Sequence, residues 1–215
     1  MKLDGEHIFH GPRQAVWELI RDPEALAKAL PGTESLTKLS ENEYEGTMNV
    51  RIGPIAGTFS GKVVVSDEVP PESCTLTAEG KGPQGFARGV GRIQLTDQGD
   101  GTTLMKYEGD VTIGGKLASV GQRSLDTVSK SMIRQGLTVL DQVLAARLAA
   151  QTEGKKEIEY AKPTQAEFAT AVAKDMAEDV FGRATRSHEG RLLLLIVPLV
   201  IVLFLLAVVL TQCQG

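Results

Sequence analysis

Gly80-Lys81-Gly82-Pro83-Gln84-Gly85 spells G-x-G-x-x-G, the spacing that lets backbone amides cradle a pyrophosphate at the start of a helix. Pro83 deletes one of those amides, and the residues that follow alternate like a strand. The segment therefore reads as a hairpin loop at a cavity mouth. His7 and His10 stand three apart on a predicted strand, which puts them on opposite faces. They cannot share a metal and read as surface histidines. Ser187-His188-Glu189 contains the residue types of a catalytic relay, but direct neighbours cannot hydrogen-bond head to tail. Cys74 and Cys213 are too few for a disulfide framework or a structural zinc site, and Cys74 reads as packing. The charged candidates are Arg88, Arg92 and Arg123. They are read either as the rim of a cavity, facing a partner's acidic surface or a ligand carbonyl, or as ordinary surface charge. No catalytic constellation, metal site or covalent cofactor emerges, and the chain reads as a binding protein and not an enzyme.

The elements that position these groups follow from periodicity. Over 215 residues there are 23 Lys and Arg against 27 Asp and Glu, a mild acidity that excludes a nucleic-acid role. Residues 2–10 read as a strand. Gly11-Pro12 and Asp22-Pro23 then open two short helices, and Pro31-Gly32 stops the second. From Glu34 to Gly114 the period is two, with turns at Pro70-Pro71, Gly82-Pro83 and Gly99-Asp100-Gly101. Such short connections make an antiparallel sheet of about six strands, and the glycines inside the strands let it curl. Leu117–Ala150 returns to helical period with one broad apolar face. A curled sheet and one long helix can only bury each other, so the expected class is α+β, a grip of sheet around helix.

Leu192–Leu210 is an apolar run without a charge, long enough as a helix to cross a bilayer. Arg183, Arg186 and Arg191 precede it and no basic residue follows, so by the positive-inside bias the domain faces the cytoplasm. The expected layout is a ligand-binding domain at 1–150, a linker at 151–190 and a single-pass tail anchor at 191–215. Within the linker, the capping box Thr164-Gln165-Ala166-Glu167 predicts an amphipathic helix over about 164–181. The acidic polar face of that helix suits a protein partner or the domain itself better than lipid.

The order strand, two short helices, curled sheet and long helix resembles the START-like (SRPBCC, helix-grip) superfamily. DPEALAKALPGTESL (Asp22–Leu36) and GDVTIGGKLASVGQRSL (Gly109–Leu125) resemble the G-subunit family of carbon monoxide dehydrogenase, over roughly residues 1–150. The resemblance implies a bacterial membrane protein with an apolar cavity. It would bind a lipophilic ligand, a respiratory quinone or other isoprenoid lipid, and recruit a soluble molybdenum-containing carbon monoxide dehydrogenase. The residues expected to line the cavity are Trp17, Met48, Phe59, Phe86, Met105, Tyr107, Leu117, Val128, Met132, Ile133, Gly136 and Leu140. Gly136, a helix breaker on the apolar face, reads as leaving a groove for a flat or prenylated ligand in preference to serving close packing. Two alternatives stand beside this reading. One is a recruitment or assembly factor without ligand, its cavity filled by its own side chains. The other, weaker, is a hydrolase or cyclase, which would need a paired acid and base that the sequence does not show.

Overall fold

The alternation of Lys2–Phe9 makes β1, whose odd-numbered side chains turn inward and end on the fully buried Phe9. The computed structural model describes residues 1–30, 32–52 and 55–153, with the single positions 167, 170 and 174. The chain divides into units 1–172 and 173–215, and the fold described is that of the first. After β1 come α1 (Arg13–Leu19) and α2 (Pro23–Ala29), then six strands: β2 (Thr33–Ser40), β3 (Glu43–Ile52), β4 (Ile55–Val69), β5 (Ser73–Gly82), β6 (Gly85–Asp97) and β7 (Thr103–Gly114). A short 3₁₀ helix, Gly115–Val120, leads into α3 (Gln122–Glu153).

The seven strands form one antiparallel sheet in the order β1-β7-β6-β5-β4-β3-β2. The strand beyond the expected six is β2, which the sequence blurs because its outward residues are nearly all exposed and polar. The long helix starts at Gln122 and not at Leu117. Gly115 and Gly121 take φ of 76° and 91°, left-handed conformations that set off the 3₁₀ segment from α3.

Because the strands alternate in direction, the turns segregate. Those after β2, β4 and β6 lie at one end, with α1, α2 and the last turns of α3. Those after β3 and β5, together with the 3₁₀ helix, lie at the other, the mouth end. The packed core sits at the first end. Phe9, Val65, Cys74, Leu95 and Met105 from the sheet meet Val16, Trp17 and Leu19 of α1, and Val139, Leu140, Val143 and Leu144 of α3. Gly11 is held by close approach, since a Cβ there would stand 2.8 Å from Leu144 Cδ2.

Arg21 fastens the helical corner to the sheet. Its guanidinium pairs with Glu68, donates to the Glu41 carbonyl at 2.8 Å and lies 5.7 Å from the Trp17 ring centroid. Asp22 caps α2 by accepting from the Glu24 amide and also pairs with Arg147 of α3. His10 anchors the end of β1 to α3, with its amide and Nδ1 at 2.8 and 2.7 Å from the Asp141 carboxylate.

Among the described residues no helix is long and apolar enough to cross a membrane. The run Leu192–Leu210, Ser187-His188-Glu189 and Cys213 lie outside them. Of the expected linker helix, Glu167, Thr170 and Lys174 are described and are helical; the rest also lies outside.

Candidate functional site

Towards the mouth end the inner face of the sheet is paved with the smallest residues. Gly46, Gly61, Gly80 and Ala87 stand directly opposite one another across β3, β4, β5 and β6. Ala78 faces Gly89, and Gly91 faces Gly109, on neighbouring inward positions. Most of these glycines lie tight against the carbonyls of adjacent strands, but Gly80 opens onto space. Among the described residues, a Cβ at Gly80 would meet only the Ser60 carbonyl oxygen at 3.8 Å. One at Gly91 would stand tight against Glu108 O at 3.3 Å, with Gly109 Cα at 3.9 Å. No described side chain from α3 comes within 4 Å of either position.

Half-buried apolar side chains wall this floor. Met48 and Phe59 are direct cross-strand partners, and Val111 and Ile113 rise from β7. Leu117, Leu125 and Val128 are buried opposite, outside the packed core cluster, with half-buried Met132 beside them. Here the inner face of the sheet and the first half of α3 present apolar side chains to each other, with open space above Gly80. A groove of about 320 Å³, lined by Val111, Ile113, Ala118, Gln122 and Leu125 among others, lies alongside between β7 and α3.

The aromatic rings that could fill this space are folded down onto glycines. A Cβ at Gly82 would fall 2.7 Å from Phe59 Cδ1, and one at Gly5 2.6 Å from Tyr107 Cζ. Each ring therefore lies flat over a neighbouring strand and does not stand up towards the helix. Tyr107 leans over Gly5 to the β1 edge, and burial pushes its phenol pKa up.

The hairpin turn Pro83-Gln84 closes the mouth side. Leu117 N–H donates to the Gln84 carbonyl at 2.8 Å, which ties the β5–β6 tip to the 3₁₀ helix. Gly85 has φ 135°, and a Cβ there would collide with the Gly114 carbonyl oxygen, so only glycine fits this crossing. The G-x-G-x-x-G segment is thus a strand-to-strand hairpin.

Of the twelve expected lining residues, the structure gathers Met48, Phe59, Leu117, Val128 and Met132 around this space, with half-buried Ile133 on the same stretch of α3. Trp17, Met105 and Leu140 belong instead to the packed core at the other end, 2–6% exposed. Phe86 corrects the expectation outright. It shares the outer face with Arg88, whose guanidinium carbon stands 5.2 Å over its ring, because inward positions of β6 are Ala87, Gly89 and Gly91. Arg88 and Arg92 are on that outer face too, away from the cavity. Gly136 is a second correction: a Cβ there would meet only the Ala29 carbonyl oxygen, at 3.4 Å, so the residue admits the end of α2 and makes no ligand groove.

His7 is a third correction. It is half-buried on the inner face, with Nε2 sealed off and without a hydrogen-bond partner among the described residues, whereas His10 is exposed as expected. Cys74 is buried, which pushes its thiol pKa up against the opposing charge of Arg21, as a packing residue requires. Among the described residues no cluster of His, Cys, Asp or Glu could hold a metal. What the sequence reading missed is the floor itself. Gly80 and Gly91 were legible as glycines of inward parity, but a residue without a side chain carries no apolar signal.

The sequence profile of the carbon monoxide dehydrogenase G-subunit family, CoxG, matches residues 5–145. The chain belongs to that family. A conserved protein from Geobacillus kaustophilus is similar at 30% identity and TM-score 0.65, the match covering 67% of this chain and 95% of that one. The fold is also that of a START superfamily protein from Mycobacterium smegmatis, at 12% identity, TM-score 0.52, 67% and 97% coverage. ZhuI aromatase/cyclase from Streptomyces sp. R1128 shares it at 13% identity and TM-score 0.56, over 70% of this chain and 97% of that one. No curated protein matches the sequence.

Proposed function

We propose that this CoxG family protein binds a lipophilic small molecule, an isoprenoid quinone or a lipid of similar shape, in the concavity of its grip. It would couple a molybdenum-containing carbon monoxide dehydrogenase to the bacterial cell membrane without catalysis of its own. The observation that carries the ligand half is the open floor at Gly80 beneath apolar walls. The family supplies the dehydrogenase. The apolar run Leu192–Leu210, preceded by Arg183, Arg186 and Arg191, supports the membrane half of the reading, with the domain on the cytoplasmic side.

The chemistry asked of the site is modest. Burying some 300 Å² of prenyl chain and ring gains roughly 7 kcal/mol at ~25 cal/mol/Å², before the cost of ordering the ligand. The walls select by shape and apolarity, and the Gln122 amide at the side groove offers a donor to a ligand carbonyl.

The full chain, purified in detergent, should yield an isoprenoid lipid near one per protein on extraction and mass spectrometry. Gly80→Val places a side chain in the open floor at a strand position that favours valine. The variant should keep its melting temperature and lose most of the bound lipid. A wild-type protein that emerges free of lipid would favour the recruitment factor without ligand.

A further inference from the structure

The two ends of the grip carry opposite charge. Residues 46–66, 80–96 and 111–125 contain seven Lys and Arg and not one Asp or Glu. The fold brings the middle of the first segment, the start of the second and the end of the third together at the mouth end. There Lys81 at the β5–β6 tip, Lys116 in the 3₁₀ helix and Arg123 in the first turn of α3 are all exposed. None of the three makes an ion pair among the described residues. Pro83 and Ala118 are exposed beside them. The turns at the opposite end carry exposed Glu41, Asp67, Glu72, Asp97 and Asp100.

We propose that the mouth rim of the grip, through Lys81, Lys116 and Arg123, rests on an anionic lipid surface. The inference builds on the membrane reading above and adds an orientation to it. Cations that outnumber the acids beside them, Glu79 near Lys81 and Asp126 near Arg123, are drawn to anionic headgroups, and the acidic turns at the opposite end are repelled from them, so the field of the domain turns it mouth-down. The side groove at Ala118 and Gln122, next to that rim, then lies near the bilayer from which a lipophilic ligand comes, and the acidic end points to the cytoplasm, free for a protein partner.

The tether permits this pose although it leaves from the far end. The 32 residues of α3 set that end about 48 Å from the mouth. Residues 154–191, with about 164–181 helical and the others extended at ~3.3 Å each, reach roughly 90 Å, well beyond that distance.

The test uses the full chain with Cys213→Ser, reconstituted in nanodiscs of phosphatidylcholine with or without about 30% phosphatidylglycerol and a quencher-labelled lipid; about a third anionic lipid suffices for the attraction. A fluorophore is placed at the rim through Ser119→Cys, or at the acidic end through Gln98→Cys. Rim quenching should exceed that at Gln98→Cys in anionic discs and fade in neutral discs or at 0.5 M salt, where the Debye length is only ~4 Å. Lys81→Gln, Lys116→Gln and Arg123→Gln should each weaken rim docking about fivefold, and together about 100-fold. Equal quenching at both labels, or rim quenching indifferent to lipid charge, overturns the proposal. So does a triple variant that docks normally on lipid but loses an acidic protein partner. A chain that does not enter the discs at all overturns the anchor reading instead, and the two failures are distinct.

Discussion

On the inner face of β1 the imidazole of His7 stands edge-on to Phe9, ring centroids 4.7 Å apart. Burial lowers its pKa below the ordinary 6.5, outweighing the nearby Asp141 carboxylate, which would raise it. The unfolded chain therefore takes up this proton first as pH falls. Stability should decline below about pH 6.5, until the folded-state pKa is passed. His7→Phe keeps a ring against Phe9 and removes the titration, so its melting temperature should fall less between pH 7 and pH 5 by calorimetry. An unchanged slope would acquit His7. At Gly136 the single close neighbour is a carbonyl 3.4 Å from where a Cβ would stand. Gly136→Ala should be neutral or stabilise by up to ~1 kcal/mol, since alanine is the better helix former. Gly136→Leu must push the end of α2 away and should destabilise by about 1–3 kcal/mol. Denaturant midpoints of the two variants give both numbers.

At the scale of elements, α2 hangs on α3 by one residue at each end, Asp22 at Arg147 and Ala29 at Gly136. Burial works to raise the Asp22 pKa, but hydrogen bonds from Arg147 and the Glu24 amide outweigh it and hold the carboxyl below its usual range. Its stabilisation is present above about pH 4 and is lost as pH falls through the lower folded-state value. Asp22→Ala should cost about 1–2 kcal/mol at neutral pH as a lost cap, and should flatten that acid loss. A chemical melt with the same midpoint as wild type would show that α2 does not depend on this contact. The pieces of this corner were readable from sequence, since Asp-Pro and Pro-Gly punctuation marks both helix ends. The sheet was equally readable wherever its inner face carries large apolar side chains, as at Tyr44, Met48 and Val50, or Met105, Tyr107 and Val111. It became illegible in β6, where Ala87, Gly89 and Gly91 face inward while Phe86 and Val90 face out. There the hydrophobic pattern points to the wrong side, because this wall is shaped by what its residues lack.

For the whole molecule, the last buried core residue described is Ala150. Ending the chain after Gly190 should therefore leave the grip folded, with an unchanged melting temperature, and move it from carbonate-washed membranes to the soluble fraction. Persistence of the truncated chain in those membranes would contradict a single anchor at 192–210. The strand order has a further consequence, for the tempo of folding. Six neighbouring strands zip up through local hairpins, each a matter of microseconds. The first strand cannot join them until its partner exists, because Lys2 lies opposite Asp110. At ~5–20 residues per second, β1 waits several seconds on the ribosome for β7, and α3 emerges later still. Two closures of long sequence separation, His10 to Asp141 and Thr103 to the Gly11 carbonyl, then latch the grip shut. Folding speed is thus set by the search for those latches. Until they close, the apolar inner wall of the sheet stands open to any chaperone that passes.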